Sequence, residues 1–158
     1  MRKNFNLTDI SSIANEAIFL SYRFNHLNIG RFFAEMSVMD YTAVWVMSKK
    51  HGEKKVYLTD IAAELNIPLA TVTKLAKSLT AKGLVTWTHD GDGEDGTYLQ
   101  ITERGNNIAA KQQQKLKEFY ETVIEKFGRD NFVQWLTATS ELTDLMTKEI
   151  KKRGDENG

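Results

Sequence analysis

Six residues within one short stretch have the types and spacing for contact with nucleic acid: Ala70, Thr71, Thr73, Lys74, Lys77 and Ser78. Short hydroxyls and flexible cations near the N-terminal half of a helix can reach base edges and phosphates in a major groove without steric conflict. The chemistry is hydrogen bonding and ion pairing, not bond making. The same pattern also suits an ordinary solvated helix face, where lysines are common. Interleaved with these residues, Leu69, Val72, Leu75, Ala76 and Leu79 fall three or four apart and predict one buried stripe on a helix over 69–82.

That helix needs a partner to aim it, and the preceding residues supply one. Thr59 can cap a first helix that runs Asp60 to Leu65, with Ile61, Ala62 and Leu65 on one face. Asn66 tolerates the left-handed conformation that ends a helix, and Pro68 suits the first turn of the next, where its missing N–H costs nothing. Two short helices joined by a tight turn are a helix-turn-helix.

The flanking stretches complete the frame. Leu7 to Phe24 has a helical pattern, with Leu7, Ile10, Ile13, Ala17, Leu20 and Phe24 on one face. An irregular piece, 25–36, carries Phe32, Phe33 and Gly30. Ser37 and Asp40 form a capping box for a helix from Val38 to about Lys50, expected to bury Tyr41, Val44, Trp45 and Ser48 or their neighbours, with His51 and Gly52 ending it. Val56 to Leu58 read as a short strand. After Gly83 the period changes: Leu84–Thr88 and Thr97–Ile101 alternate as strands around an acidic, glycine-rich loop, which predicts a hairpin wing. Thr102 then caps a long helix, Glu103 to Phe127, whose polar middle, Lys111 to Lys115, is expected to be exposed. Gly128 breaks it, and a last helix from Asp130 carries Phe132, Trp135, Leu136, Leu142, Leu145, Met146 and Ile150, ending near Gly154.

Composition narrows the function classes. The 158 residues are 41% hydrophobic, enough for a core, and hold no cysteine, which excludes disulfides and thiol chemistry. Lys plus Arg and Asp plus Glu each number 21, so DNA binding must come from local charge. The N-terminus has no apolar run long enough for a signal peptide or membrane span, and a cytoplasmic location without membrane contact is expected. His26, His51 and His89 lie far apart, and no glycine-rich phosphate loop is present, so neither an enzyme, nor a metal site, nor a cofactor is expected. The outer helices carry more apolar surface than one small lobe needs. Ile10, Ile13, Ala17, Phe132, Trp135, Leu142, Leu145 and Met146 are the expected dimerisation residues.

The order of these elements resembles the MarR family of winged-helix transcriptional regulators. S-V-M-D-Y-T-A-V-W-V-M resembles the family's second helix, L-T-D-I-A-A-E-L-N-I-P-L-A-T-V-T-K-L its helix-turn-helix, and L-Q-I-T-E-R-G the junction after the wing. The spacing from Gly83 to Gly105 is that of a typical member without a gap, and the resemblance extends from about Ile10 to Ile150. It implies a mainly α fold with a small β-hairpin wing (α+β), binding a palindrome on double-stranded DNA as a homodimer whose affinity a small molecule alters. Residues 1–36 would form a dimerisation helix and connector, 37–105 the winged lobe, 106–153 the rest of the dimerisation lobe, and 154–158 a disordered tail. Thr71, Thr73 and Lys74 would face bases or phosphates, Lys77 the backbone, and Ala70 would lie close to DNA. Phe24, Tyr41 and Trp45 would flank the family's usual pocket, suiting a planar aromatic effector, although aromatics at helical spacing also serve as core.

The wing departs from the family pattern. By the ungapped spacing, the positions where members place an aspartate and two arginines are Gly93, Glu94 and Asp95, so two cations become two acids. Asp90 and Asp92, next to His89, add further repulsion toward phosphate, whereas 66–88 holds Lys74, Lys77 and Lys82 and no acid. Three explanations remain open: a wing pointing away from DNA, which is favoured; a wing neutralised by divalent cations; or loss of tight DNA binding. Asp90, Asp92 and Glu94 alternate as in a calcium loop, but the sixth position is Asp95 and the twelfth Ile101, which argues against the second. The third defines a rival function: a winged-helix protein-interaction module or co-regulator.

Overall fold

The computed structural model describes residues 9–49, 55–89 and 96–156, which fall into two compact units divided between Gln112 and Gln113. The acidic wing residues Asp90, Asp92, Glu94 and Asp95 lie outside the described residues, as do Leu7, His51 and Gly52.

The first unit opens with helix α1, Ile10–Asn25, whose first turn is capped by the Asp9 carboxylate, accepting from the Ser12 N–H at 2.8 Å. One turn of 3-10 helix follows at Ile29–Phe32, within the stretch expected to be irregular. Helix α2, Val38–Lys49, begins with the capping box its sequence announces: the Ser37 N–H donates to Asp40 Oδ2 at 2.9 Å and the Asp40 N–H to Ser37 Oγ at 3.1 Å. The buried face of α2 is Asp40, Ala43, Val44, Val46 and Met47. Trp45 is a correction, because it stands exposed on the other side.

The helix-turn-helix is α3, Leu58–Leu65, and α4, Leu69–Ala81. Two of its boundaries differ from expectation: α3 starts two residues early, with Tyr57 rather than Thr59 in the capping position, and Pro68 precedes α4 by one residue instead of opening it. The Pro68 carbonyl accepts from the Thr71 and Val72 amides and so begins the ladder. Between the helices Asn66 adopts φ 51°, ψ 47°, with Ile67 N–H to Ala62 O and Asn66 N–H to Ala63 O satisfying the last carbonyls of α3. The same termination recurs after α4, where Gly83 at φ +68° lets Leu84 N–H reach Leu79 O and Gly83 N–H reach Thr80 O.

Strands β1, Val56–Tyr57, β2, Val85–His89, and β3, Thr97–Ile101, form an antiparallel sheet in the order β1-β3-β2, with Trp87 opposite Leu99 and His89 opposite Thr97. The wing returns into helix α5, Glu103–Phe127, through a compact junction. Thr102 Oγ1 donates to Gly83 O at 2.7 Å and accepts from Gly105 N–H at 3.0 Å, while Thr102 N–H donates to Leu84 O at 3.0 Å. A Cβ on Gly105 would sit 2.1 Å from Leu84 O, so only glycine allows this approach without displacing backbone. The core beneath joins Ala43, Val44 and Met47 of α2, Ile61 of α3, Val72, Ala76 and Leu79 of α4, Leu84, Leu99 and Ile108. The polar stretch 111–115 is not wholly exposed. Gln112 is buried and donates through Nε2 to Phe32 O at 3.1 Å.

The second unit contains the C-terminal half of α5 and helix α6, Arg129–Glu156. Gly128, at φ +93°, separates the two, and Asn131 Nδ2 donates to Phe127 O at 2.9 Å across the turn. Rings of Tyr120, Phe127 and Trp135 gather around Phe132. Among the residues of α6 whose burial is described, none is buried, and the helix continues through Gly154 to Glu156, beyond the stop expected from sequence.

Candidate nucleic-acid interface

Burial of Val72, Leu75, Ala76 and Leu79 fixes which side of α4 faces outward. On that side Ala70, Lys74 and Lys77 are exposed, and Thr71, Thr73 and Ser78 are half-buried. The structure therefore brings all six residues singled out in the sequence onto the outer part of one helix. Neither Lys74 nor Lys77 meets a carboxylate among the described residues. Thr73 Oγ1 donates to Leu69 O at 3.0 Å, which commits its proton to the helix and leaves lone pairs to accept from an amine on a base edge.

Lys82, the third lysine of the acid-free stretch, has a different role. Its Nζ lies 2.6 Å from Asp40 Oδ2, and that carboxylate is only 2% exposed. Burial pushes the Asp40 carboxyl up, but hydrogen bonds from Lys82 and Ser37 and the nearby ammonium charge outweigh it, so the group lies below its ordinary value of 3.8. The positive charge offered by the stretch is thus smaller than its three lysines suggest. Sequence reasoning recognised Asp40 as a cap and missed this pairing, because 42 positions separate the partners.

On the wing, His89 Nδ1 and Thr97 Oγ1 share a hydrogen bond of 2.8 Å between exposed and buried residues facing each other across β2 and β3. The indole N–H of Trp87 is buried with no hydrogen-bond partner among the described residues. The expected effector residues stand in different surroundings. Phe24 is exposed on α1; Tyr41 is half-buried, edge-on to Phe33 at 5.6 Å; Trp45 has the Lys49 ammonium 3.7 Å over its ring. Burial raises the Tyr41 phenol above its ordinary value. Among the described residues no group of three or more histidines and acids gathers to hold a metal.

A short strand, two helices with a left-handed turn residue between them, and a hairpin closing onto the same core define a winged helix-turn-helix protein. No family model matches the chain. The transcriptional regulator AdcR of Streptococcus pyogenes serotype M6 is 31% identical over 80 residues, covering 49% of this chain and 54% of AdcR, so the similarity spans about half of either protein. Solved structures extend the likeness further. NMB1585, a MarR family regulator from Neisseria meningitidis, superposes with a TM-score of 0.64 at 20% identity, covering 90% of this chain and 96% of its own. BpsR of Bordetella bronchiseptica, described for regulation of its DNA binding by 6-hydroxynicotinic acid, superposes at 0.67 with 13% identity, covering 83% and 98%. The chain is built on the fold of the MarR family regulators.

Proposed function

We propose that this chain is a sequence-specific DNA-binding transcriptional regulator of the MarR type that reads a palindromic operator as a homodimer in the cytoplasm. The observation that carries the proposal is the outer face of α4: three hydroxyls and two lysines without an acid, held at the front of a winged helix-turn-helix. Thr71, Thr73 and Lys74 address bases or phosphates, and Lys77 addresses the backbone.

Dimerisation is supported by what each unit leaves uncovered. Ile10, Ile13 and Ala17 are exposed on α1, as are Trp135, Leu142, Leu145 and Met146 on α6, with Phe132 half-buried beside them. Stripes of this extent are normally covered by a partner. A second copy supplies the cover and sets two recognition helices roughly 34 Å apart, one turn of DNA. No helix among the described residues is long and apolar enough to cross a membrane. The aromatic regulator of BpsR supports a small aromatic effector here as well, and Phe24, Tyr41 and Trp45 are the residues proposed to meet it.

The engagement of Lys82 by Asp40 favours one alternative, a protein-interaction module whose acidic wing meets a basic surface and whose DNA binding is weak. Fluorescence anisotropy separates the two readings. Tight binding to a duplex selected from a random pool, with weak binding to an unrelated duplex, supports the regulator. Equal and weak binding to both, even at low salt, supports the module.

A further inference from the structure

We infer that Asp40 and Lys82 are a positioning pair for DNA recognition: the carboxylate opening α2 holds the lysine that closes α4, fixing the pose of the recognition helix and withdrawing that lysine's charge from the phosphates. The inference rests on the DNA-binding reading above and goes further by dividing the lysines of 66–88 into two that face DNA and one that does not.

Three observations carry it. Asp40 is anchored at both ends, because Oδ2 accepts from the Ser37 N–H at 2.9 Å and from Lys82 Nζ at 2.6 Å, while its own amide donates to Ser37 Oγ at 3.1 Å. It is buried, so the pair has a definite geometry that an exposed ion pair lacks. Both charges also suit their helix ends: Asp40 lies in the first turn of α2, and Lys82 caps α4, its N–H on Ser78 O at 3.1 Å. The side chain of Lys82 is still 43% exposed, so losing Asp40 frees the ammonium to reach outward. Lys77 and Lys74, about one and two turns earlier, have no such tether among the described residues.

Salt dependence separates a lysine that positions from one that touches phosphate, since each phosphate neutralised adds about one unit to the slope of log affinity against log salt. The test titrates the unmodified chain and the variants Lys74→Met, Lys77→Met, Lys82→Met, Lys82→Arg and Asp40→Asn across a salt series. The probes are a duplex selected by the unmodified chain from a random pool and an unrelated duplex, and each variant's melting temperature is recorded. Lys82→Met should weaken the selected duplex roughly tenfold without changing the salt slope, and Lys82→Arg should restore binding. Lys74→Met and Lys77→Met should each lower the slope by about one unit per protomer. Asp40→Asn keeps an oxygen for the Ser37 amide but frees Lys82. It should weaken the selected duplex, strengthen the unrelated one and steepen the slope by about one unit per protomer.

A Lys82→Met slope that falls as the Lys74→Met slope does overturns the inference and leaves the DNA-binding reading standing. So does an Asp40→Asn variant that binds both duplexes as the unmodified chain does. If the unmodified chain binds no duplex at any salt concentration, the DNA-binding reading fails, and the inference fails with it.

Discussion

Helices α4 and α6 are both amphipathic, yet they end in opposite states. Val72 and Leu79 of α4 are 1% and 0% exposed, whereas Leu145 and Ile150 of α6 are 64% and 68% exposed. The winged lobe closes its own core within one chain, from α2 through the start of α5. The terminal helices α1 and α6 contain no buried residue among those described. The difference is one of cover: the lobe buries its own apolar side chains, and the outer helices leave theirs exposed.

The comparison breaks first at the core. Leu79→Ala should cost about 2–5 kcal/mol, because the site is closed on every side, and urea denaturation of the isolated variant would read it. An equal cost for Leu145→Ala measured at a concentration where the chain is monomeric would erase the distinction. Gly105→Ala should cost about 1–3 kcal/mol, since its methyl group meets the Leu84 carbonyl and that strand must move. Helix propensity alone would make the same change favourable, so the sign of the shift in melting temperature tests the junction directly.

The outer helices sharpen the comparison from the other side. Leu142→Glu combined with Leu145→Glu should dissociate the proposed homodimer in sedimentation velocity while leaving the melting of the winged lobe nearly unchanged. Below these in size lies the contribution of Asp40. Its folded-state value is depressed below 3.8, so its stabilisation is present above that pH and is lost as pH falls through the lower folded value. Asp40→Asn should flatten the stability profile below about pH 4, as followed by circular dichroism. The smallest expected effect is Trp87→Phe, which removes a buried N–H that has no partner among the described residues and should change stability by less than about 1 kcal/mol in either direction.

Much of the fold is legible in the sequence because local chemistry decides it. Asn66 takes the left-handed conformation that its side chain tolerates, Ser37 and Asp40 reciprocate as a capping box, and Thr102 caps α5 where its position suggests. The apolar stripe of α4 is buried as its spacing requires. What the sequence does not carry depends on distant partners. Lys82 belongs to Asp40, and Gln112 is buried because the Phe32 carbonyl is there to receive it. Trp45 is as apolar as its neighbours but points away from the core, with Lys49 over its ring. Helix α6 continues through Gly154 because a single glycine weakens a helix without ending it. The outer face of α4 was legible because the stripe opposite defines it by exclusion.

The most direct test of the account is the stoichiometry of the complex with a selected duplex, measured by sedimentation equilibrium. Two chains on one palindromic duplex, with a large loss of affinity when one half-site is scrambled, are the predicted result. One chain per duplex, or an affinity indifferent to the second half-site, would contradict the assignment of α1 and α6 to a second copy and of α4 to the DNA.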